Sequence, residues 1–204
     1  MEFEDITLRI NFGINGNAYF EYNKVINFIA LNGKRKLILE YKYKSKGGDE
    51  VRYCDLYLKS APKKQKNTQN IIQETFVFER VSAWYKYIKY SNFVNINLNN
   101  QYFLDQPVNI KITEIMSPFK LILKKPNNEV VQEIEINETG TFILYIDSEN
   151  KKILKETGSG IVSAYDIVNK NKNSFVQIPP GQYILNRSGD ALTFEINIKE
   201  WQYD

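Results

Sequence analysis

Short segments in which apolar and polar residues alternate with a period of two dominate this sequence. The clearest is ALTFEINIKEW near the C-terminus, where Leu192, Phe194, Ile196 and Ile198 alternate with mostly polar residues. Because successive side chains of a strand point to opposite faces, this pattern predicts a strand with one buried face. Similar segments recur about every 8–12 residues, separated by Gly, Pro, Asn and Asp, which favours an antiparallel sandwich or barrel over βαβ units.

A single segment has helical periodicity instead. Val25, Phe28 and Ile29 have the i, i+3, i+4 spacing of an apolar helix face. Asn23 is a candidate N-cap, and a glycine follows the segment as a stop signal. The pattern predicts one short helix at about residues 23–31, covering an open end of a sheet. Near residues 88–95 the mixture of helix and strand patterns gives way to strand patterns alone, which makes this region the best candidate for a domain boundary.

The chain contains no histidine and only one cysteine, Cys54. The absence of histidine excludes a Ser–His–Asp triad, a Cys–His pair and a histidine metal site. Cys54 lies in the alternating segment VRYCDLYL and can form no intrachain disulfide, so we interpret it as a buried structural thiol. We expect no catalytic residue, no cofactor and no bound metal.

Charge and hydropathy exclude two further classes of protein, general nucleic-acid-binding proteins and proteins with a transmembrane helix. A net charge of +3, from 27 basic and 24 acidic residues, is too balanced for a general nucleic-acid-binding protein. No segment approaches the roughly 18 apolar residues of a transmembrane helix. Glu2, Glu4 and Asp5 stand where a signal peptide would be basic and apolar, so we expect synthesis in a cytoplasm without membrane insertion.

One pair of carboxylates has a spacing that chemistry could use. Glu133 and Glu135 lie two residues apart in a predicted strand, so both point to one face. Glycoside hydrolysis uses two carboxylates across a sugar cleft. The alternation with Ile134 and Ile136 favours a solvent-facing side of a strand, and a cryptic glycosidase is therefore a remote alternative.

Aromatic side chains and one rigid turn supply the candidate interface residues. The aromatic ones are Trp84, Tyr85, Trp201 and Tyr203, which could act as interface anchors or as sugar platforms. Trp201 and Tyr203 alternate at the end of the sequence, which favours contact with another domain or subunit. The turn is formed by Pro179, Pro180 and Gly181. There the prolines fix φ and the glycine permits positive φ, so these residues supply conformational precision.

Three short motifs occur in an order that resembles phage distal tail proteins. They are VSAWY (81–85), IDSENK (146–151) and FVQIPPG (175–181), followed by a final alternating strand that ends near Trp201. The resemblance covers most of residues 20–204. It implies an N-terminal antiparallel β-sheet or barrel domain with one short helix at 1–92. A galectin-like antiparallel β-sandwich at 93–204 is implied to follow it.

The resemblance also implies a non-enzymatic role in the tail of a virion. Members of this family form homo-oligomers, and a hexameric ring is the first expectation. Such a ring would join the tail-tube protein to tail-tip, baseplate-hub or receptor-binding proteins. The alternative is a carbohydrate-binding β-sandwich that recognises a host receptor, suggested by the aromatic content.

Overall fold

The computed structural model describes residues 3–13, 17–32, 36–60, 72–169 and 171–202. These residues form antiparallel strands and one α-helix, so the predicted mainly-β fold class is confirmed. The chain divides into two compact units, one of residues 1–85 with 202–204 and one of residues 86–201. The predicted division at residue 92 into two domains of different function stays a prediction.

The first unit is a curled antiparallel sheet with a helix on one face. Its elements are β1 (Ile6–Phe12), α1 (Ala18–Asn32), β2 (Leu37–Ser45), β3 (Gly48–Ser60), β4 (Ile72–Arg80) and the first residues of β5 (Trp84–Ser91). Strand β3 has β2 along one side, and β4 followed by the start of β5 along the other. Strand β1 pairs with the far side of β4.

The core of this unit lies between the sheet and α1. Phe76 and Phe78 of β4 are buried on one face, as their alternation predicts. Cys54 and Leu56 of β3 extend the same cluster, which confirms that Cys54 is a buried thiol. Ile29 of α1 packs onto this face from the helix side.

The predicted beginning of the helix was wrong. Helix α1 begins at Ala18, where Asn17 Oδ1 accepts hydrogen bonds from the backbone N–H groups of Tyr19 and Phe20 at 3.1 and 3.2 Å. Asn17 is therefore the N-cap. Asn23 lies exposed inside the helix, and Phe28, expected on the apolar inner face, is 58% exposed. The glycine predicted to stop the helix lies outside the described residues.

The second unit contains two antiparallel sheets. Besides β5, the strands are β6 (Asn95–Asn100), β7 (Gln106–Ile115), β8 (Phe119–Lys124), β9 (Val130–Ile136), β10 (Gly140–Asp147), β11 (Lys152–Thr157), β12 (Gly160–Ser163), β13 (Val176–Ile178), β14 (Gly181–Ser188) and β15 (Ala191–Gln202). One sheet has the order β5-β15-β7-β10-β11-β12, with the short strand β13 beside β7, and the other has the order β6-β14-β8-β9. A 3₁₀ turn covers Tyr165–Ile167.

The two sheets of this unit pack face to face as a sandwich. The ring of Phe119 on β8 lies 5.1 Å from the ring of Phe194 on β15, which belongs to the other sheet. The alternation in β7 predicts that Val108, Ile110 and Ile112 point inward, and all three are buried, with Ile112 fully inaccessible. On β15 the prediction was right for Phe194 but wrong for Leu192, which is 60% exposed near the start of the strand.

The segment NLNNQ (97–101), whose asparagine-rich, polar composition predicts a turn, is a strand for most of its length. Residues Asn95–Asn100 form β6, which pairs with β14 from Asn95 opposite Asn186 to Asn100 opposite Gly181. Its asparagines at 95, 97 and 99 are exposed, while Ile96 and Leu98 point inward. Pairing with a strand far along the chain outweighs the weak strand preference of asparagine.

Candidate interface residues and the contacts that hold them

A buried polar cluster surrounds the VSAWY motif. Tyr85 is fully buried, and its hydroxyl donates to Asp55 Oδ1 at 2.8 Å. Lys36 Nζ lies 3.1 Å from Asp55 Oδ2 and neutralises this carboxylate. Ser82 Oγ accepts the Asp55 N–H at 2.8 Å and donates to the Ala83 carbonyl at 3.0 Å. The motif is thus the hydrogen-bonded corner at which β4 ends and β5 begins.

Trp84 occupies the opposite face of the strand from Tyr85. Its half-buried ring packs against the core beneath α1, 6.1 Å from the Tyr41 ring. The guanidinium of Arg80 lies 5.7 Å from the same ring. Trp84 and Tyr85 therefore hold the corner from its two sides, and their side chains are engaged within the first unit.

Sequence reasoning missed Ser148, the central polar residue of the second unit. This serine is fully buried at the end of β10. Its hydroxyl donates to the Val108 carbonyl at 2.6 Å and accepts the Val176 N–H at 3.2 Å. Its own N–H donates to Asn109 Oδ1 at 2.9 Å. The side chain therefore joins β7, β10 and β13, and its one sequence signal is a small polar residue directly after an apolar alternation.

The IDSENK and FVQIPPG motifs contact each other. Asp147 accepts hydrogen bonds from the N–H and side-chain amide of Asn150, at 2.9 and 2.7 Å, which closes a tight turn. Lys151 follows with a φ of 54° and places its ammonium 5.1 Å from the ring of Phe175. The hydroxyl of Tyr165 donates to the Lys151 carbonyl. Two motifs that stand 24 residues apart, from 151 to 175, thus form one corner.

The predicted rigid turn lies where β13 ends and β14 begins. Gly181 has a φ of +121°, as predicted for a position that requires glycine. Pro179 is half-buried and Pro180 is exposed, with the Pro180 carbonyl accepting the Tyr183 hydroxyl at 3.3 Å. The turn is therefore ordered by local contacts and supplies conformation, whereas its participation in an interface stays a prediction.

Asn100, a further residue that sequence reasoning missed, fastens this turn to a neighbouring loop. Its side chain is buried, and Nδ2 donates to the carbonyls of Ile178 and Leu104, both at 2.8 Å. Its Oδ1 accepts the Tyr102 N–H at 3.0 Å. The loop of residues 101–105 is held in shape in this way while Phe103 at its tip remains 52% exposed.

Trp201 fixes the other end of the same loop. Its indole N–H donates to the Asp105 carbonyl at 2.9 Å. Lys199 lies over its ring at 4.7 Å and pairs with Glu149 Oε1 at 2.7 Å, although Lys199 is only 1% exposed. Trp201 is half-buried in the second unit, and its contact with another subunit stays a prediction. Tyr203 lies outside the described residues.

The carboxylates of Glu133 and Glu135 belong to an ion-pair network. Lys172 lies 3.0 Å from Glu133, and Lys120 lies 2.8 Å from Glu135 and 3.5 Å from Glu133. The hydrogen bond from Lys172 lowers the pKa of Glu133, and that from Lys120 lowers the pKa of Glu135. A glycosidase acid needs a raised pKa, so this pair is not arranged as one.

Three of the exposed apolar surfaces in the described part of the chain are candidate contact sites. The first is the outer face of α1, with Phe20 at 58% and Leu31 at 80% exposure. The second is the tip of the 101–105 loop, and the third is strand β12. Among the described residues no helix is long and apolar enough to cross a membrane. The same residues contain no cluster of three or more potential metal ligands.

Comparisons with known proteins agree with this architecture. The family described as distal tail protein, N-terminal domain, matches residues 1–81. A chain of the phage P2 baseplate in its activated conformation with Ca superposes with a TM-score of 0.68 at 14% identity, covering 98% of this chain and 80% of that one. The SPP1 Dit (gp 19.1) protein, from a phage hub adsorption apparatus, gives 0.56 at 9% identity, covering 98% and 79%.

No curated protein matches the sequence. Because their sequence identities are low, the likenesses to solved structures show a shared fold alone. Together with the family match, they confirm the predicted resemblance to phage distal tail proteins.

Proposed function

We propose that this chain, whose residues 1–81 belong to the distal tail protein N-terminal domain family, is a structural component of a bacteriophage tail tip or baseplate. The family match of its first unit is the observation that carries the proposal. The P2 baseplate and SPP1 Dit folds, which extend along 98% of the chain, support it. The protein acts by assembly in the virion tail, and it catalyses no reaction.

The arrangement of polar groups supports a role without catalysis. Asp55 is buried between the hydroxyl of Tyr85 and the ammonium of Lys36. Lys199 is buried against Glu149. Paired charges of this kind keep a fold in one conformation, whereas an active site needs titratable groups aimed at a substrate.

In this proposal the two domains have different roles in assembly. Residues 1–92 form the ring, with the exposed face of α1, including Phe20 and Leu31, as one side of the contact between neighbours. A closed ring requires two different surfaces on each subunit, so α1 packs against another part of the next copy's first domain. A hexamer is the expected ring. Residues 93–204 form the galectin-like sandwich.

The sandwich connects the ring to other tail proteins. The 101–105 loop suits this role because Asn100 and Trp201 hold its backbone while Phe103 stays exposed. A loop that is already ordered loses little conformational entropy on binding. Its partners are tail-tip, baseplate-hub or receptor-binding proteins on one side of the ring, with the tail-tube protein on the other.

Mass photometry and negative-stain imaging of the purified full chain test the proposal. We expect closed rings whose mass is a small multiple of 23.9 kDa, with six copies as the first expectation. A protein that stays monomeric at every concentration, and binds neither tail-tube nor baseplate proteins of its own phage, would contradict it. Specific binding on a host-glycan array would instead favour the carbohydrate-binding alternative.

A further inference from the structure

Strand β12 is an outer strand with unusual composition. Its four residues, Gly160, Ile161, Val162 and Ser163, are all exposed, with Ile161 at 61% and Val162 at 57%. It pairs with β11 on one side and ends its sheet on the other. Apolar side chains on both faces of an outer strand favour pairing with another strand.

The register with β11 determines which backbone groups point outward. Gly160 faces Thr157 across a two-residue turn, and Ala164 N–H donates to Ile153 O at 3.0 Å. In an antiparallel pair, hydrogen-bonded and non-hydrogen-bonded positions alternate. Val162 is therefore bonded to β11, while Ile161 and Ser163 direct their N–H and C=O groups to the open edge.

The other outer strands carry the polar side chains that usually prevent pairing. Strand β1 has Arg9 at its centre, and β2 has Glu40 and Lys42. In the second sheet of the sandwich, β6 is rich in asparagine and β9 carries Glu133 and Glu135. Among the described outer strands, β12 combines the absence of charge with exposed branched apolar side chains.

We propose that β12 pairs with β12 of a second copy in a two-fold antiparallel arrangement. Ile161 then faces Ser163 of the other copy and Ser163 faces its Ile161, which gives four backbone hydrogen bonds. The two copies of Val162 face each other in the non-hydrogen-bonded position at the centre. The outward hydrogen-bonding groups and the uncharged apolar side chains of β12 are both matched by the same strand of a second copy, which is the occupant that we assign.

Charges beside β12 do not oppose this pairing. Lys155 lies opposite Val162 on β11, and its ammonium is neutralised by Glu138. Glu156, opposite Ile161, accepts a hydrogen bond from the Tyr145 hydroxyl at 2.9 Å. No charged side chain lies on β12 itself, so the two copies bring no like charges face to face across the shared edge.

This contact is separate from the one that closes a ring. A two-fold contact uses the same surface on both copies, whereas neighbours in a ring of six meet through two different surfaces. Pairing through β12 would link two rings or two free chains, and four hydrogen bonds make the link weak. Its presence or absence leaves the proposed ring function untouched.

Cysteine cross-linking tests the register. Two Val162 residues in the central position have Cα atoms about 4.5 Å apart, inside the disulfide range of roughly 4.4–6.8 Å. We expect Val162→Cys to form a cross-linked dimer rapidly under mild oxidation. Ile161→Cys is the matched control, because two Ile161 Cα atoms would lie roughly 8 Å apart or more. The native Cys54 is buried and gives the background.

A charge variant tests the association without a cross-link. Val162→Lys would place two ammonium groups opposite each other, so we expect the β12-dependent, concentration-dependent association seen by sedimentation velocity to disappear. Val130→Lys, on β9 and 52% exposed, should leave that association unchanged. Equal cross-linking of Val162→Cys and Ile161→Cys, or no cross-linking of either, would overturn the proposal.

Discussion

At the residue scale, a few side chains fix the conformation of backbone corners rather than performing chemistry. Ser148, Asn100 and Asp55 are each at least 95% buried, and each bonds to backbone atoms or side chains from another part of the chain. A buried polar group stabilises a fold only when its partners are present. Such residues therefore specify which segments meet.

Gly189 shows how strictly a corner can restrict one residue. It has a φ of +87°, and a Cβ atom at this position would lie 2.2 Å from the Pro118 carbonyl oxygen. We expect Gly189→Ala to lower the free energy of unfolding by about 2–4 kcal/mol, measured by urea denaturation. Gly158→Ala, where a Cβ meets nothing within 4 Å, is the control and should change it much less. Equal effects would contradict the prediction.

The ion pairs of Glu133 and Glu135 predict a dependence on pH. Their folded-state pKa values lie below the ordinary 4.5, so the ion pairs stabilise the protein fully above that pH. The stabilisation is lost as the pH falls through the lowered folded-state values. We expect Lys120→Met to weaken the decline in unfolding free energy between pH 5 and about pH 3. Chemical denaturation at each pH measures the decline.

A matched charge change gives the control for that experiment. Lys152→Met also removes one positive charge, from an exposed position at the start of β11. We expect its pH profile to follow that of the unaltered protein. If Lys120→Met and Lys152→Met gave the same profile, net charge rather than the specific ion pairs would be responsible.

At the element scale, the helix begins where a side chain satisfies its free N–H groups. Asn17 caps α1, while Asn23 lies one and a half turns inside it. Strand β6 shows the same dependence on partners, because asparagine-rich Asn95–Asn100 becomes a strand by pairing with β14. Local preference locates an element approximately, and its contacts decide where it starts and ends.

Substitution of the two asparagines distinguishes the cap from the interior. Asn17→Ala removes the acceptor for two N–H groups and should lower the unfolding free energy by about 1 kcal/mol. Asn23→Ala should leave it unchanged or raise it slightly, because alanine favours helix interiors. Thermal denaturation followed by circular dichroism measures both. A larger loss of unfolding free energy in Asn23→Ala than in Asn17→Ala would instead indicate that the helix begins near residue 23, as the sequence alone suggests.

At the scale of the whole molecule, assembly depends on surfaces that the separate chain leaves exposed. Apolar side chains on the outer face of α1 add nothing to the core of their own unit. Leu31 is 80% exposed, so its replacement has little effect on folding. Variants at this face can therefore separate assembly from stability.

We expect Leu31→Glu to shift the protein from rings to monomers, because a carboxylate would be buried at the proposed contact between neighbours. Val130→Glu, which introduces the same carboxylate at a 52% exposed apolar position of β9 in the second unit, is the control and should leave rings intact. Mass photometry measures the populations, and melting temperatures should remain similar. Intact rings in Leu31→Glu would place the ring contact elsewhere on the first domain.

The regular parts of the architecture are visible in the sequence, and the long-range polar contacts are not. The alternation in Gln106–Ile115 predicts β7 and its buried face correctly, because burial on one side imposes the period. Ser148 and Asn100 carry no such pattern, since the strands that they join to their own segments lie 28 to 78 residues away. The motif VSAWY is visible in the sequence, but the hydrogen bond that holds its Tyr85 is made to Asp55 of another strand, which the motif does not indicate.

The Ser148 hydroxyl also couples the local opening of three strands. It donates to the Val108 carbonyl of β7 and accepts the Val176 N–H of β13, so detachment of β13 would leave the buried Ser148 hydroxyl oxygen without that N–H donor. Opening therefore involves both strands together, and the Val176 amide should exchange its hydrogen with solvent slowly, at the rate of the surrounding unit. A strand of only three residues would then resist separation from its sheet as part of a larger cooperative unit.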